Sequence, residues 1–169
     1  PEPDATGGAP EIRSLSVRGD GASFSVAVTM PTSLGAGTDV VVYFDTDRNA
    51  ATGSGTGMEY GISATRTPTG IVLGIMKWTA GVFAQLPVPS TLRTRISGSG
   101  SSSGTRFTLT FVFARGDIGG TRRFDASVVT HAYDPSGTLL GVDTAPDTGR
   151  LLYPPKAATL PAPPPPPSP

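Results

Sequence analysis

From Ile12 to Tyr153 the chain is a succession of short apolar segments separated by Gly, Asp or Pro. Phe24, Val26, Val28 and Met30 alternate with small or polar residues, and Phe107, Leu109, Phe111 and Phe113 alternate with Thr and Val. A period of two sends successive side chains to opposite faces, so both segments read as strands with one face in a core. Ile12–Val17 precedes the first of them across Arg18-Gly19-Asp20-Gly21, which reads as a hairpin turn. Val40–Phe44 is continuously apolar, as expected in the middle of a sheet, and it runs directly into Asp45. Met58–Thr65 and Ile71–Trp78 form the next pair, and Phe124–Tyr133 is a further strand. Leu92–Ile96, preceded by Pro87 and Pro89, suits an edge, and Leu151–Tyr153 suits a short closing strand. Ser97–Gly104 reads by composition as a flexible loop. No segment sustains a helical period. The expected fold is all-β, an antiparallel two-sheet β-sandwich of immunoglobulin-like or jelly-roll-like kind.

Composition narrows this picture. Half of the 18 prolines fall between Pro154 and Pro169, so residues 154–169 read as a Pro-rich linker or tail, residues 1–10 as an N-terminal extension and residues 11–153 as the sandwich. The first residues, Pro1-Glu2-Pro3-Asp4, look like a trimmed mature chain or a piece of something longer, with no signal peptide in view. The absence of Cys excludes disulfides, thiolate metal sites and Cys nucleophiles. Formal net charge is zero, which sets nucleic acid aside because no broad positive field is apparent. No apolar run is long enough to span a membrane. Arg outnumbers Lys heavily and Asn49 is the sole Asn, skews that track a GC-rich bacterial genome.

The most specific chemistry lies just after the buried strand. Asp45-Thr46-Asp47-Arg48-Asn49 places three oxygen-bearing side chains at alternate positions, a metal-ligand spacing. Ca²⁺ takes about six to eight hard oxygen ligands, and such a turn supplies three from one arc. The glycines from Gly53 to Gly57 make the loop pliable, and Glu59, at the head of the next strand, is placed to fold back as a distal ligand. The loop is not an EF-hand, since Ala50 stands where its glycine is needed. The competing reading is an Asx-rich turn whose side chains accept backbone N–H groups. Asp143-Thr144-Ala145-Pro146-Asp147-Thr148-Gly149 reads as a structural turn, with further ligands or a second site as the alternative.

The run Val41-Val42-Tyr43-Phe44-Asp45-Thr46-Asp47-Arg48-Asn49-Ala50-Ala51-Thr52-Gly53, followed by Gly57-Met58-Glu59-Tyr60, resembles a stretch of secreted bacterial β-sandwich domains of the DOMON and family 9 carbohydrate-binding-module type. Arg115-Gly116-Asp117-Ile118-Gly119 is similar to a late turn of that group, and the segment from Asp143 through Tyr153 is similar to its closing segment. The resemblance implies calcium at Asp45, Asp47, Asn49 and Glu59, and an extracytoplasmic setting. The group includes sugar binders and haem binders, often appended to secreted hydrolases.

Other candidates carry less. Gly100-Ser101-Ser102-Ser103-Gly104 spells a nucleophile elbow but has no helix after it, as that device requires. His131 is the sole His and reads as a sheet residue. Arg18-Gly19-Asp20 and Arg115-Gly116-Asp117 read as turn chemistry. Trp78, Tyr60, Tyr133 and Phe83 are candidates for stacking on a sugar face, with packing as the alternative for Trp78. The resulting expectation is a non-catalytic, calcium-binding β-sandwich module of a secreted or cell-surface protein, monomeric and part of a larger chain. A carbohydrate-binding module and an adhesion or assembly domain are the alternatives, with polysaccharide or another surface protein as partner.

Overall fold

A computed structural model describes residues 6–101 and 104–154. The Pro-rich tail proposed for 154–169 therefore lies outside the described residues apart from Pro154. Among the described residues, eleven strands form two antiparallel sheets. The small sheet has the order β1-β2-β8-β7, from β1 (Ser14–Gly19), β2 (Ser23–Met30), β7 (Arg93–Ser101) and β8 (Gly104–Ala114). The large sheet runs β10-β9-β3-β4-β5-β6, from β3 (Thr38–Asp45), β4 (Tyr60–Thr67), β5 (Gly70–Thr79), β6 (Val82–Leu86), β9 (Phe124–Tyr133) and β10 (Leu139–Ala145). The short β11 (Leu151–Tyr153) follows β10 along the free edge of β9. A single 3-10 turn, Arg115–Ile118, is the one helical element among the described residues.

The core is the sum of the inward parities. Phe24, Val26, Val28 and Met30 of β2 and Leu109, Phe111 and Phe113 of β8 meet Val40, Val42 and Phe44 of β3, Ile62 of β4 and Phe124 and Val128 of β9. Phe44 touches Phe113 and Phe124 edge-on, with ring centroids at 5.3 and 5.1 Å, so the aromatics knit the two sheets together. The apolar run Val40–Phe44 is explained by its place: β3 lies between β9 and β4, and its outward Val41 is also buried.

Three differences from the sequence expectation have physical causes. Ser97–Gly104 is not a plain loop: β7 runs on to Ser101 and pairs with β8 up to Ser101↔Gly104. Regular ladder bonds to a strong strand outweigh the weak β-propensity of Ser and Gly. The strands β6 and β10 escape the reading because they are short or interrupted, β10 by Gly141 and Asp143. The chain also joins the sandwich before Glu11: the Thr6 amide donates to the Val142 carbonyl at 3.2 Å, and the Thr130 hydroxyl, fully buried, donates to the Pro10 carbonyl at 2.6 Å.

Candidate metal site and the outer face of the large sheet

β3 ends at Asp45 and β4 starts at Tyr60, so antiparallel pairing brings the two ends of the intervening loop together. The Glu59 amide donates to the Phe44 carbonyl at 2.9 Å, which sets Glu59 beside Asp45. Asp45, Asp47 and Glu59 each offer a carboxylate oxygen within 4.8 Å of the others, and this cluster can hold a metal ion. Asp45 is 1 % exposed, whereas Asp47 is exposed and Glu59 half-buried.

The loop is held by its own polar groups. Glu59 Oε2 accepts from the Thr46 amide at 2.6 Å and from its hydroxyl at 3.1 Å. The Thr52 hydroxyl sits among Asp47 Oδ2 at 2.9 Å, Glu59 Oε1 at 2.9 Å and the Asn49 carbonyl at 2.8 Å. The Asn49 side-chain oxygen accepts from the Ala51 amide at 3.1 Å, an Asx turn, and the Asn49 backbone amide donates to Asp45 Oδ1 at 3.1 Å and to Asp47 Oδ1 at 2.9 Å, which ties Asn49 to two of the three carboxylates. The Asx-turn reading thus describes part of the loop, and the three carboxylates form a cluster that could hold an ion. Gly57 is obligatory: its φ is +74°, and an added Cβ would lie 2.6 Å from the Ala50 Cα. Gly53 has the same constraint, with φ +69° and the Met58 carbonyl oxygen 2.5 Å from such a Cβ.

Sequence reading missed Arg150. Five residues, 146–150, leave the edge of β9 between β10 and β11, and they return Arg150 to the loop. Its guanidinium donates to Asp45 Oδ2 and to the Thr56 carbonyl. The reason is electrostatic. Asp45 faces Asp125 across the β3–β9 pair, and like charges directly opposite repel. Arg150 answers one of them, and Arg48, with Nε 2.9 Å from Asp125 Oδ1, answers the other. Three clustered carboxylates against one guanidinium leave an excess of negative charge, and the donors are all hard oxygens. The residues fit a hard divalent cation on both counts. Asp143 takes no part: buried beneath the N-terminal segment, its Oδ2 accepts from the Ile12 amide at 2.5 Å. Asp147 lies outside the three-carboxylate cluster and lines the neighbouring groove.

That groove, about 470 Å³, opens on the outer face of the large sheet beside the loop. Tyr43, Phe83, Val129, Pro146, Met58 and Arg150 are among its walls. Phe83 contacts Tyr43 at 5.4 Å and Trp78 at 5.1 Å between ring centroids, an aromatic row along this face. Burial, then the negative charge of Asp39, raises the Tyr43 phenol above its ordinary pKa of 10.0. Tyr133 is on the same outward face, beside the His131 ring at 5.8 Å, and burial and Asp39 raise its pKa too. Tyr60 is not part of this set. It shares the inward parity of Ile62 and Ala64 and packs against the core, so it cannot stack on a ligand held by Trp78 and Phe83.

His131 Nδ1 lies 2.7 Å from Asp39 Oδ1, its cross-strand neighbour on β3. Among the described residues no Ser lies within hydrogen-bond distance of His131. No family model matches the chain, and no curated protein matches it. Its functional reading therefore rests on the geometry of the site.

Proposed function

We propose that the loop from Asp45 to Glu59 binds calcium and that the chain is a non-catalytic β-sandwich module of a secreted or cell-surface protein, of the DOMON and family 9 carbohydrate-binding-module kind. The observation that carries the reading is the convergence of Asp45, Asp47 and Glu59 within 4.8 Å at the end of a central strand. Asn49 completes the donor set by exchanging its bond to Ala51 for the ion. The ion neutralises clustered carboxylates and lends its binding energy to the folded state.

Thermal unfolding with calcium and with EDTA tests this reading. Calcium at a hundredfold excess over its dissociation constant stabilises by about 2.7 kcal/mol. Glu59→Gln abolishes the calcium-dependent shift in midpoint while the EDTA midpoint changes little. An equal midpoint in calcium and EDTA for the unsubstituted protein removes the reading.

A second reading, saccharide binding, is favoured by the groove itself. Tyr43 and Phe83 in its walls, with Trp78 edge-on to Phe83 beside it, offer ring faces for the apolar face of a sugar, and Ser127, Thr144 and Asp147 supply polar partners. Silence on an array of neutral plant and microbial glycans eliminates it.

A further inference from the structure

The zero net charge of the chain conceals a division between its two sheets. The strands of the small sheet contain Arg18, Arg93, Arg95 and Arg106 and no carboxylate. Those of the large sheet contain Asp39, Asp45, Asp125 and Asp143, with Arg66 and Lys77.

Register places the arginines on one face. The Cα partners of one row are Arg18, Ser25, Val112 and Arg93; those of the next are Ser16, Ala27, Thr110 and Arg95. Phe24, Val26, Phe111 and Phe113 alternate with these residues and fill the core, so both rows face outward. The rows form a strip of short side chains with a cation at the β1 edge and two at the β7 edge. Three strand spacings, roughly 14 Å, separate the edges. Arg18, Arg93 and Arg95 are exposed, and among the described residues none of them makes an ion pair. A hollow of about 360 Å³ opens on this face, with Arg18, Ser25, Val112 and Arg95 among its walls. Asp20 is the one carboxylate among the walls of this hollow. Its oxygens already accept from the Ala22 amide at 3.0 Å, the Ser23 amide at 2.8 Å and the Ser23 hydroxyl at 3.0 Å, so it belongs to the hairpin turn.

The geometry points to an interaction face for an acidic polysaccharide, a chain bearing carboxylates along its length, laid across the outer surface of the small sheet between Arg18 and the Arg93–Arg95 pair. Guanidinium groups match carboxylates in a planar, two-bonded arrangement. The hydroxyls of Ser16, Ser25 and Thr110 both donate and accept, as sugar hydroxyls require. Other polyanions fit less well. The two rows carry no aromatic ring on which a base could stack, and between the edge arginines their side chains are too short to enter a duplex groove. A protein partner would want an apolar anchor, and Val112 and Ala27 are the only apolar residues in the rows. This face lies on the opposite sheet from the acidic loop and does not depend on the cation reading.

Binding of the full chain to polygalacturonate, measured by calorimetry at low salt, is the test, with the fully methyl-esterified polymer as the uncharged control. The acidic polymer binds and the ester does not, and rising salt weakens binding. Replacing Arg18, Arg93 and Arg95 together by Ser weakens it roughly tenfold, since exposed ion pairs each contribute modestly. Arg93→Ser alone gives a smaller loss, and Arg66→Ser on the large sheet gives none. An unchanged melting temperature certifies that the variants fold. No binding to polygalacturonate, equal binding to the ester, or full binding by the triple variant overturns the proposal. Tighter binding to duplex DNA overturns the partner class. Self-association that disappears in the triple variant overturns it as well, since the occupant is then the acidic face of a second copy.

Discussion

The two sheets share a core and differ in everything they show to solvent. Inward, both present the same alternation of Val, Ile, Leu and Phe, fully buried at Val26, Phe111, Val40 and Phe44 alike. Outward, the small sheet is a strip of mostly Ser, Thr and Arg, whereas the large sheet carries an aromatic row, a His131–Asp39 pair and a carboxylate cluster at the end of β3. The difference separates two kinds of constraint. The inner parity answers to packing, which any apolar side chain of suitable volume satisfies, and the outer parity is free to carry chemistry.

The sharpest way to break the contrast is to remove what the sheets share. Phe44→Ala deletes a ring that touches both Phe113 and Phe124, and a loss of about 3–5 kcal/mol in chemical denaturation is expected. Both outer faces should lose their properties in one cooperative transition; separate transitions would show that the sheets are held independently.

A smaller effect, confined to the large sheet, comes from Gly57→Ala. A positive φ and a 2.6 Å approach to Ala50 predict destabilisation of about 1–3 kcal/mol, read by the same denaturation experiment. Cation binding should weaken with it, while the arginine face of the small sheet is untouched.

Arg150→Gln sharpens the comparison further. The guanidinium is partly exposed but Asp45 is buried, so its loss leaves that carboxylate without its charged partner and costs the cation-free protein about 1–3 kcal/mol. With the competing positive charge gone, titration calorimetry should record calcium affinity raised several-fold; weaker affinity would show instead that Arg150 positions Asp45 for the ion.

The smallest effect is a pH dependence. Tyr43 has its folded pKa raised by burial and then by Asp39. Above the ordinary value of 10.0 the unfolded chain gives up this proton and the folded one keeps it, so stability falls as pH rises from there through the folded pKa. Tyr43→Phe should flatten that alkaline decline in midpoint. An unchanged slope would place the cause in Tyr133, whose pKa is raised in the same way.

Much of the acidic loop was legible because its parts are adjacent in the chain. The D-x-D spacing marked Asp45 and Asp47, and the hairpin logic of β3 and β4 placed Glu59 opposite them. Arg150 had no such signal. It is 105 residues from Asp45 and reaches it only because β10 and β11 share the edge of β9, with five residues thrown out between them. Tyr60 and Trp78 looked equivalent as aromatics near strand ends, and only the register that puts Ile62 and Ala64 in the core assigns them to opposite faces. Charge misled for the same reason: a formal sum of zero carries no information about which sheet each Arg and Asp belongs to.

Sequence alone determined that this is an all-β chain with a strong period of two, a central strand at Val40–Phe44 and an acidic loop after it, because side-chain alternation and ligand spacing are local properties. Tertiary structure decided which strands became neighbours, which aromatics face solvent, that Arg150 meets Asp45 and that the arginines of β1 and β7 flank one strip. Strand order and register produce all of these, and both depend on contacts between residues far apart in the chain, which no short stretch of sequence encodes.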